Sequence, residues 1–276
     1  MSQIPLQEHR SVLKALESLR VLAYVPSDYL DFRVSLLKAQ LGVFDSIQLK
    51  SIQSDLPIGP QALNLEPEPL AKMLMQTGES LSKETKAYED LFRLVEFRKM
   101  LPDLVLASAF GPNEDALKNF SEHTGVPTDA LLFYGRALAA PYLRKILLRL
   151  ETEKLEPSAD NGRCPFCDSE PGLSLLLGKT GKRSLVCPLC GMQWEFPRLT
   201  CPFCMKTDSL EQIREQDNAL RWLESCSSCH QYLKMIDSRK IEGEMIPLKE
   251  SVETLYLDII AEKQGLKTQI PYVSLR

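Results

Sequence analysis

Apolar residues recur at helical spacing through the first half of the chain. Val12, Leu13, Leu16 and Leu19 share one face of a helix expected over residues 6–24. Pro26 and Ser27 end that run, and Ser27 is placed to cap a second helix with Asp28 in its first turn. Leu36, Leu37, Leu41 and Phe44 carry this second helix to about Ile47. Pro57, Gly59 and Pro60 mark residues 51–66 as a loop, after which Leu70, Met73 and Leu74 predict a short helix. Lys86 to Leu101 is expected to be helical, with Leu91, Phe92, Val95 and Met100 on one face. Asn113 is a natural N-cap for a helix ending near Gly125. A last helix opens at Thr128-Asp129 and extends to about Lys154, with Pro141 expected to kink or split it. Residues 1–160 therefore read as an all-helical domain able to bury a substantial core.

The pattern changes beyond residue 160. Leu173 to Leu177 and Ser184 to Val186 read as strand material flanking a Gly178 to Lys182 turn. Ala219 to Leu223 and Tyr232 to Ile236 form a second set. Ile246 to Gly265 returns to helical spacing through Val252, Leu255, Leu257 and Ile260, with Gly265 as its stop. The expected fold is a mainly α N-terminal bundle, two small β-rich modules of rubredoxin-like or zinc-ribbon type, and a C-terminal helix. The expected divisions are 1–160, 161–200, 201–240 and 241–276, the last packing on the modules.

The strand regions hold all eight cysteines of the chain, and each belongs to a C-x-x-C pair: Cys164/Cys167, Cys187/Cys190, Cys201/Cys204 and Cys226/Cys229. Two residues between cysteines let a tight turn aim both sulfurs at one cation, and two such knuckles make a tetrahedral S4 site. The gaps of 19 residues between Cys167 and Cys187 and 21 between Cys204 and Cys226 fit that spacing within a residue or so. The simplest arrangement is two metal ribbons in series. Interleaved ligation, first knuckle with third and second with fourth, is an alternative that spacing leaves open. The expected cofactors are two tetrahedral S4 ions, Zn or Fe. Such a site has no open coordination position to activate water, so the metals are expected to be scaffold and the protein not an enzyme.

Charge narrows the function further. The net charge is −4, and no apolar run approaches a membrane span. The first ten residues lack an apolar signal region, which leaves the cytoplasm as the expected location. Residues 161–240 carry 11 basic and 9 acidic residues. Two divalent ions, each held by four thiolates, turn that +2 into about −2. A zinc-ribbon nucleic-acid binder, the first alternative, would then face phosphate with the wrong sign. A rubredoxin-like electron-transfer protein is the second alternative.

Other candidates are weaker. Cys226-Ser-Ser-Cys229-His230 matches the c-type haem pattern, but in a chain with no export signal. His9 and His123 stand in polar company and His230 reads as a surface residue. Trp194 and Trp222 are expected to pack on the ribbon cores, each with an N–H partner. Arg198 reads as a surface ion pair or as a bond to a thiolate or carbonyl near the sites.

Taken in order, these features resemble the FdhE family of formate dehydrogenase accessory proteins. The resemblance rests on Phe133-Tyr-Gly-Arg-Ala137, Ala140-Pro-Tyr-Leu143, Cys164-Pro-Phe-Cys167 and Cys187-Pro-Leu-Cys-Gly191 with Trp194 and Arg198. It continues through Cys201/Cys204, Cys226/Cys229 with Tyr232-Leu-Lys234, and Thr254-Leu-Tyr-Leu-Asp258 with Ala261 and Gly265. It is most specific over residues 130–265. A departure lies at Asp160-Asn-Gly-Arg163, which lacks the tryptophan associated with that position. The resemblance implies a cytoplasmic assembly factor acting on the catalytic subunit of respiratory formate dehydrogenase, a rubredoxin-like metal binder with the eight cysteines as ligands and no catalytic residues.

Overall fold

The computed structural model describes residues 9–49, 56–111, 113–150, 161–216 and 219–268. They form two compact units, one up to Leu150 and one beyond it. The first unit is helical: α1 (His9–Glu17), α2 (Ser27–Phe44), α3 (Pro67–Gly78), α4 (Lys86–Glu96), α5 (Leu101–Ala109), α6 (Glu114–Thr124) and α7 (Thr128–Leu147). Helix α7 is the hub, packing on α2, α5 and α6. Its Gly135 is required there, because a Cβ would lie 2.2 Å from Ser108 Oγ and 2.9 Å from the Leu104 carbonyl oxygen of α5. Phe32 of α2 meets the rings of Phe133 and Tyr134. These contacts explain the Phe133–Ala137 segment as a helix-packing motif.

Helix α7 runs unbroken through Pro141, against the expected kink or split, and its expected stretch past Leu150 lies outside the described residues. Proline at 141 has no N–H for the carbonyl of Ala137, one turn back. Gln40 of α2 fills the vacancy, its Nε2 donating to the Ala137 oxygen at 2.6 Å. A buried carbonyl is satisfied from a neighbouring helix and the break is avoided.

Other elements differ in detail. Ser27 is the first residue inside α2, with Pro26 in the boundary position and no side-chain cap. Leu91 of the expected face is buried, but Phe92 is 63% exposed; the buried stripe of α4 is Ala87, Asp90, Leu91 and Leu94, so Leu94 takes the place expected for Val95. The expected helix to Leu101 ends at Glu96. A 3-10 turn follows, and then α5, which has Pro102 in its first turn, where a missing N–H costs nothing. Asn113 does cap α6, accepting from the Ala116 N–H at 3.0 Å, and Gly125 ends that helix at φ 70°.

The second unit is a six-stranded sheet of β1 (Leu173–Leu177), β2 (Lys182–Val186), β3 (Gln193–Glu195), β4 (Leu210–Ile213), β5 (Arg221–Cys226) and β6 (Tyr232–Asp237), in the order β3-β2-β1-β6-β5-β4. Strands β3 and β4 were not expected; each is four residues or fewer. The parallel pairing of β1 with β6, Leu173 opposite Lys234, fuses the two ribbons into one sheet. Each ribbon runs knuckle, strand, strand, knuckle, strand. The expected C-terminal helix is two, α8 (Pro247–Glu253) and α9 (Leu255–Lys263), separated at Thr254. The Thr254 hydroxyl donates back to the Glu250 carbonyl at 2.6 Å, a contact that bends helices. Leu257 and Ala261 of α9 pack on Leu223 and Tyr232 of the sheet. No helix among the described residues is long and apolar enough to cross a membrane.

Gln40→Leu is expected to cost about 1–3 kcal/mol in urea unfolding, since it leaves the buried Ala137 carbonyl without a donor. In a Pro141→Ala background the helix supplies its own donor, and the same change should cost about half as much or less. Equal costs in the two backgrounds would show that the Gln40 bond does not stand in for the missing N–H.

Candidate metal centres

The eight cysteines come together as two quartets, Cys164/Cys167/Cys187/Cys190 and Cys201/Cys204/Cys226/Cys229, with all sulfurs in a quartet within 4.8 Å of one another. The pairing is serial, not interleaved. Across the quartets the sulfurs lie 3.6 Å apart for Cys164–Cys190, Cys167–Cys187 and Cys204–Cys226, and 3.8 Å for Cys201–Cys229. A disulfide would need about 2.05 Å. A regular tetrahedron with metal–sulfur bonds near 2.3 Å has edges of about 3.8 Å. The donor chemistry and spacing fit a tetrahedral cation such as Zn or Fe, and leave no corner for water.

One backbone device builds all four knuckles. The N–H four residues after the first cysteine donates to that cysteine's carbonyl: Asp168 to Cys164, Gly191 to Cys187, Met205 to Cys201 and His230 to Cys226, at 2.8–3.0 Å. The first cysteine's own N–H donates to the carbonyl five residues on: Ser169, Met192, Lys206 and Gln231, at 2.8–2.9 Å. Closing this double turn needs a left-handed residue after the second cysteine. Asp168 (φ 56°), Gly191 (φ 82°), Met205 (φ 62°) and His230 (φ 59°) take it. Three of the four bear the steric penalty of a side chain there.

The turns also set the sulfur electrostatics. Burial pushes the Cys190 thiol well up, and neighbouring sulfurs add to it. At Cys187 burial works the same way, but hydrogen bonds from Cys164, Cys167, Cys190 and the Cys190 backbone outweigh it and hold the thiol low. At Cys226 burial is outweighed by the Ser209 hydroxyl, 3.1 Å from Sγ, and by backbone groups of Cys229 and Ser228, which bring the thiol down to about 6.

Arg183, not singled out from the sequence, ties the two centres together. It lies on β2, four residues before Cys187, and is 2% exposed. Its Nη2 donates to Glu224 Oε1 on β5 at 2.5 Å. Nη1 donates to the carbonyls of Pro197, Arg198 and Thr200 at 3.0–3.4 Å, and Nε to Ser174 Oγ at 3.0 Å. One guanidinium of the first ribbon therefore fixes both the strand that leads to Cys226 and the linker that leads to Cys201. Burial raises the Glu224 carboxyl and lowers the Arg183 guanidinium, each opposed by the other's charge. Arg198 itself is exposed and contributes its carbonyl.

The C-terminal helices are held by a second network. Lys234 Nζ donates to Asp258 Oδ2 at 2.7 Å and the Tyr232 hydroxyl to Asp258 Oδ1 at 2.9 Å. Arg221 reaches Glu250 at 2.7 Å and Glu253 at 2.9 Å. The Tyr232–Lys234 and Thr254–Asp258 segments are thus two halves of one buried contact. Trp194 and Trp222 are buried as expected. Trp222 Nε1, however, has no hydrogen-bond partner among the described residues, and Arg214 stacks 3.7 Å from its ring centroid instead. His123 and His230 are exposed, and His9 opens α1 with its side chain outside the described residues. Gly162 sits where a Cβ would fall 2.4 Å from the Pro202 carbonyl oxygen, so the segment without tryptophan packs against the second ribbon's knuckle through backbone.

Arg183→Met is expected to cost about 3–5 kcal/mol, because it strands Glu224 in the interior. Adding Glu224→Leu should recover part of that loss, and urea midpoints of the single and double variants check it. Gly191→Ala is expected to cost about 1–2 kcal/mol. No atom lies within 4 Å of the added methyl group, so the loss would report the left-handed backbone alone.

Comparison with known proteins agrees with this architecture. A family model described as "FdhE, central domain" matches residues 163–198, the first ribbon. The FdhE homolog of Haemophilus influenzae Rd is 27% identical over 251 residues, covering 87% of this chain and 79% of that protein. The FdhE homolog of Aquifex aeolicus is 26% identical over 264 residues, covering 90% and 86%. The crystal structure of the FdhE protein from Pseudomonas aeruginosa shares the fold, with a TM-score of 0.56, 22% identity and coverage of 96% and 92%. With two serial four-cysteine clusters on one sheet, helices on either side of it in sequence, and these relatives along most of its length, the chain is similar to the FdhE proteins, most specifically in its first ribbon.

Proposed function

We propose that this protein is a cytoplasmic, non-enzymatic assembly factor that binds the catalytic subunit of a respiratory formate dehydrogenase and supports its maturation. Cys164, Cys167, Cys187 and Cys190 would hold one ion and Cys201, Cys204, Cys226 and Cys229 a second. The observation that carries this reading is the convergence of each quartet: four protein sulfurs lie within 4.8 Å of one another and would fill all four corners of a tetrahedral site. A site of that kind cross-links strands without activating a substrate. When bound, zinc would supply the cross-link alone, and iron would add a one-electron couple.

The protein's own residues do the remaining work. The knuckle N–H groups hold the sulfurs in place. Arg183 and Glu224 fix one ribbon against the other. The networks at Asp258 and Glu250 lock α8 and α9 onto β5 and β6. The result is a stiff surface of the kind that docks another polypeptide without changing shape. The charge balance supports a protein partner over a nucleic acid.

Two measurements test the proposal. Elemental analysis of anaerobically purified protein is expected to find two ions per chain, and Cys→Ser at one position of a quartet should lower metal content and stability together, because metal binding and folding are coupled. Anaerobic affinity capture with a tagged chain is expected to retain the catalytic subunit of formate dehydrogenase. Loss of that capture in a quartet variant that still folds would put the metals at the docking surface. No capture by the intact, metal-loaded chain would remove the assembly-factor reading.

A further inference from the structure

The two centres repeat one design, and the repeat allows a residue-by-residue comparison. The same double turn matches Cys164 with Cys201 and Cys187 with Cys226. Both leading knuckles even share the tetrapeptide Cys-Pro-Phe-Cys, at 164–167 and 201–204. The covers over the sulfurs do not match.

In the first centre all four cysteines are buried. Phe166 is 0% exposed, Leu189 2% and Met192 4%, and Ser169 is also buried. In the second centre Cys204 and Cys229 are only half-buried. The counterpart of Phe166 is Phe203, half-buried; that of Ser169 is Lys206, exposed. The counterpart of Leu189 is Ser228, exposed; that of Met192 is Gln231, half-buried, whose Oε1 has no hydrogen-bond partner among the described residues. All four cover positions are more exposed in the second centre, and at two of them, Leu189 to Ser228 and Met192 to Gln231, an apolar side chain gives way to a polar one. The apolar shell around a metal site controls access to it.

We infer that the second cysteine quartet is a ligand-exchange centre for an incoming thiolate, while the first is sealed scaffold. This rests on the metal-binding reading above. The soft S4 environment selects a soft donor, which is why the ligand is a thiolate and not an oxygen anion. In the exchange the incoming thiolate forms a metal–sulfur bond and the bond to Cys204 or Cys229 breaks. The freed cysteine sulfur takes a proton from solvent, and no electron is transferred. Arg183 keeps Glu224 and the 197–200 linker in place while one of the four bonds is exchanged.

The experiment loads the full chain with two equivalents of Zn(II), adds a chromophoric zinc chelator, and compares two thiol sources: glutathione and a folded single-cysteine ubiquitin variant. Zinc release is expected in two equal phases, the first at least about tenfold faster. N-ethylmaleimide mapping should mark Cys204 and Cys229 ahead of the first quartet. Acceleration by glutathione alone identifies small thiols as the ligand, and acceleration by both sources extends it to protein thiols. Ser228→Leu, alone or with Gln231→Met, should slow the fast phase toward the slow one, and Leu189→Ser should speed the slow phase. Circular dichroism checks that each variant is folded. A chain that takes up no zinc overturns the metal reading itself. A chain that takes up two ions and releases them in one phase, or is unaffected by either thiol source, overturns this inference alone. So does a folded Ser228→Leu protein with unchanged kinetics.

Discussion

A C-x-x-C knuckle satisfies its own backbone: one carbonyl and one N–H of its first cysteine are both bonded within the turn, and two sulfurs are left on the same side. Four such turns occur between residues 164 and 231, and the rest of the second unit follows from them. A knuckle has room for little apolar surface, so each ribbon alone would be too small to hold a core. The sulfur quartets supply the missing constraint by fixing strand ends at a spacing of 3.6–3.8 Å. The strands between them need only be short, as β3 and β4 are.

Two small ribbons become one body through a buried charge. A buried ion pair is weak evidence of stability, because desolvation consumes much of the attraction. Arg183 is nevertheless well used. Its donors reach a carboxylate, a hydroxyl and three carbonyls, so nearly every N–H has an acceptor and the linker's carbonyls gain a donor they would otherwise lack. Beside it, the parallel pairing of β1 with β6 gives the leucines of β1 partners from the second ribbon. Leu173 and Leu175 join Ile236 on one face, and Leu176 joins Trp222 and Met235 on the other. Polar pinning sets the register and apolar contact supplies the area.

The same logic of substituted donors runs through the helical unit. Gln40 replaces the N–H that Pro141 lacks. Lys145 Nζ donates to the carbonyls of Phe44 and Asp45 at 2.7 and 2.9 Å, satisfying the end of α2. Each of these bonds spans about a hundred residues of sequence. They let helices with an interior proline or an uncapped end survive.

Local chemistry was legible in the sequence. The cysteine pairs, the Asn113 cap, the Gly125 and Gly265 stops and the strands flanking the knuckles depend on residues within a turn or two of one another, so spacing and propensity suffice. On α4 Leu91 is buried as its spacing predicts while Phe92 faces outward, because the buried stripe is set by what the helix packs against, not by which of its apolar residues is largest. The same reason hid Arg183. A charged residue in a strand reads as exposed until a carboxylate 41 positions away and a bent linker close around it. Serial pairing of the quartets, the single sheet and the unequal covers over the two centres are likewise tertiary facts. The sequence by itself determined that sulfurs could converge in pairs, because two intervening residues let a tight turn set both on the same side. Only the folded chain decided which pairs meet and which centre is left open, because those outcomes depend on contacts between segments that spacing does not constrain.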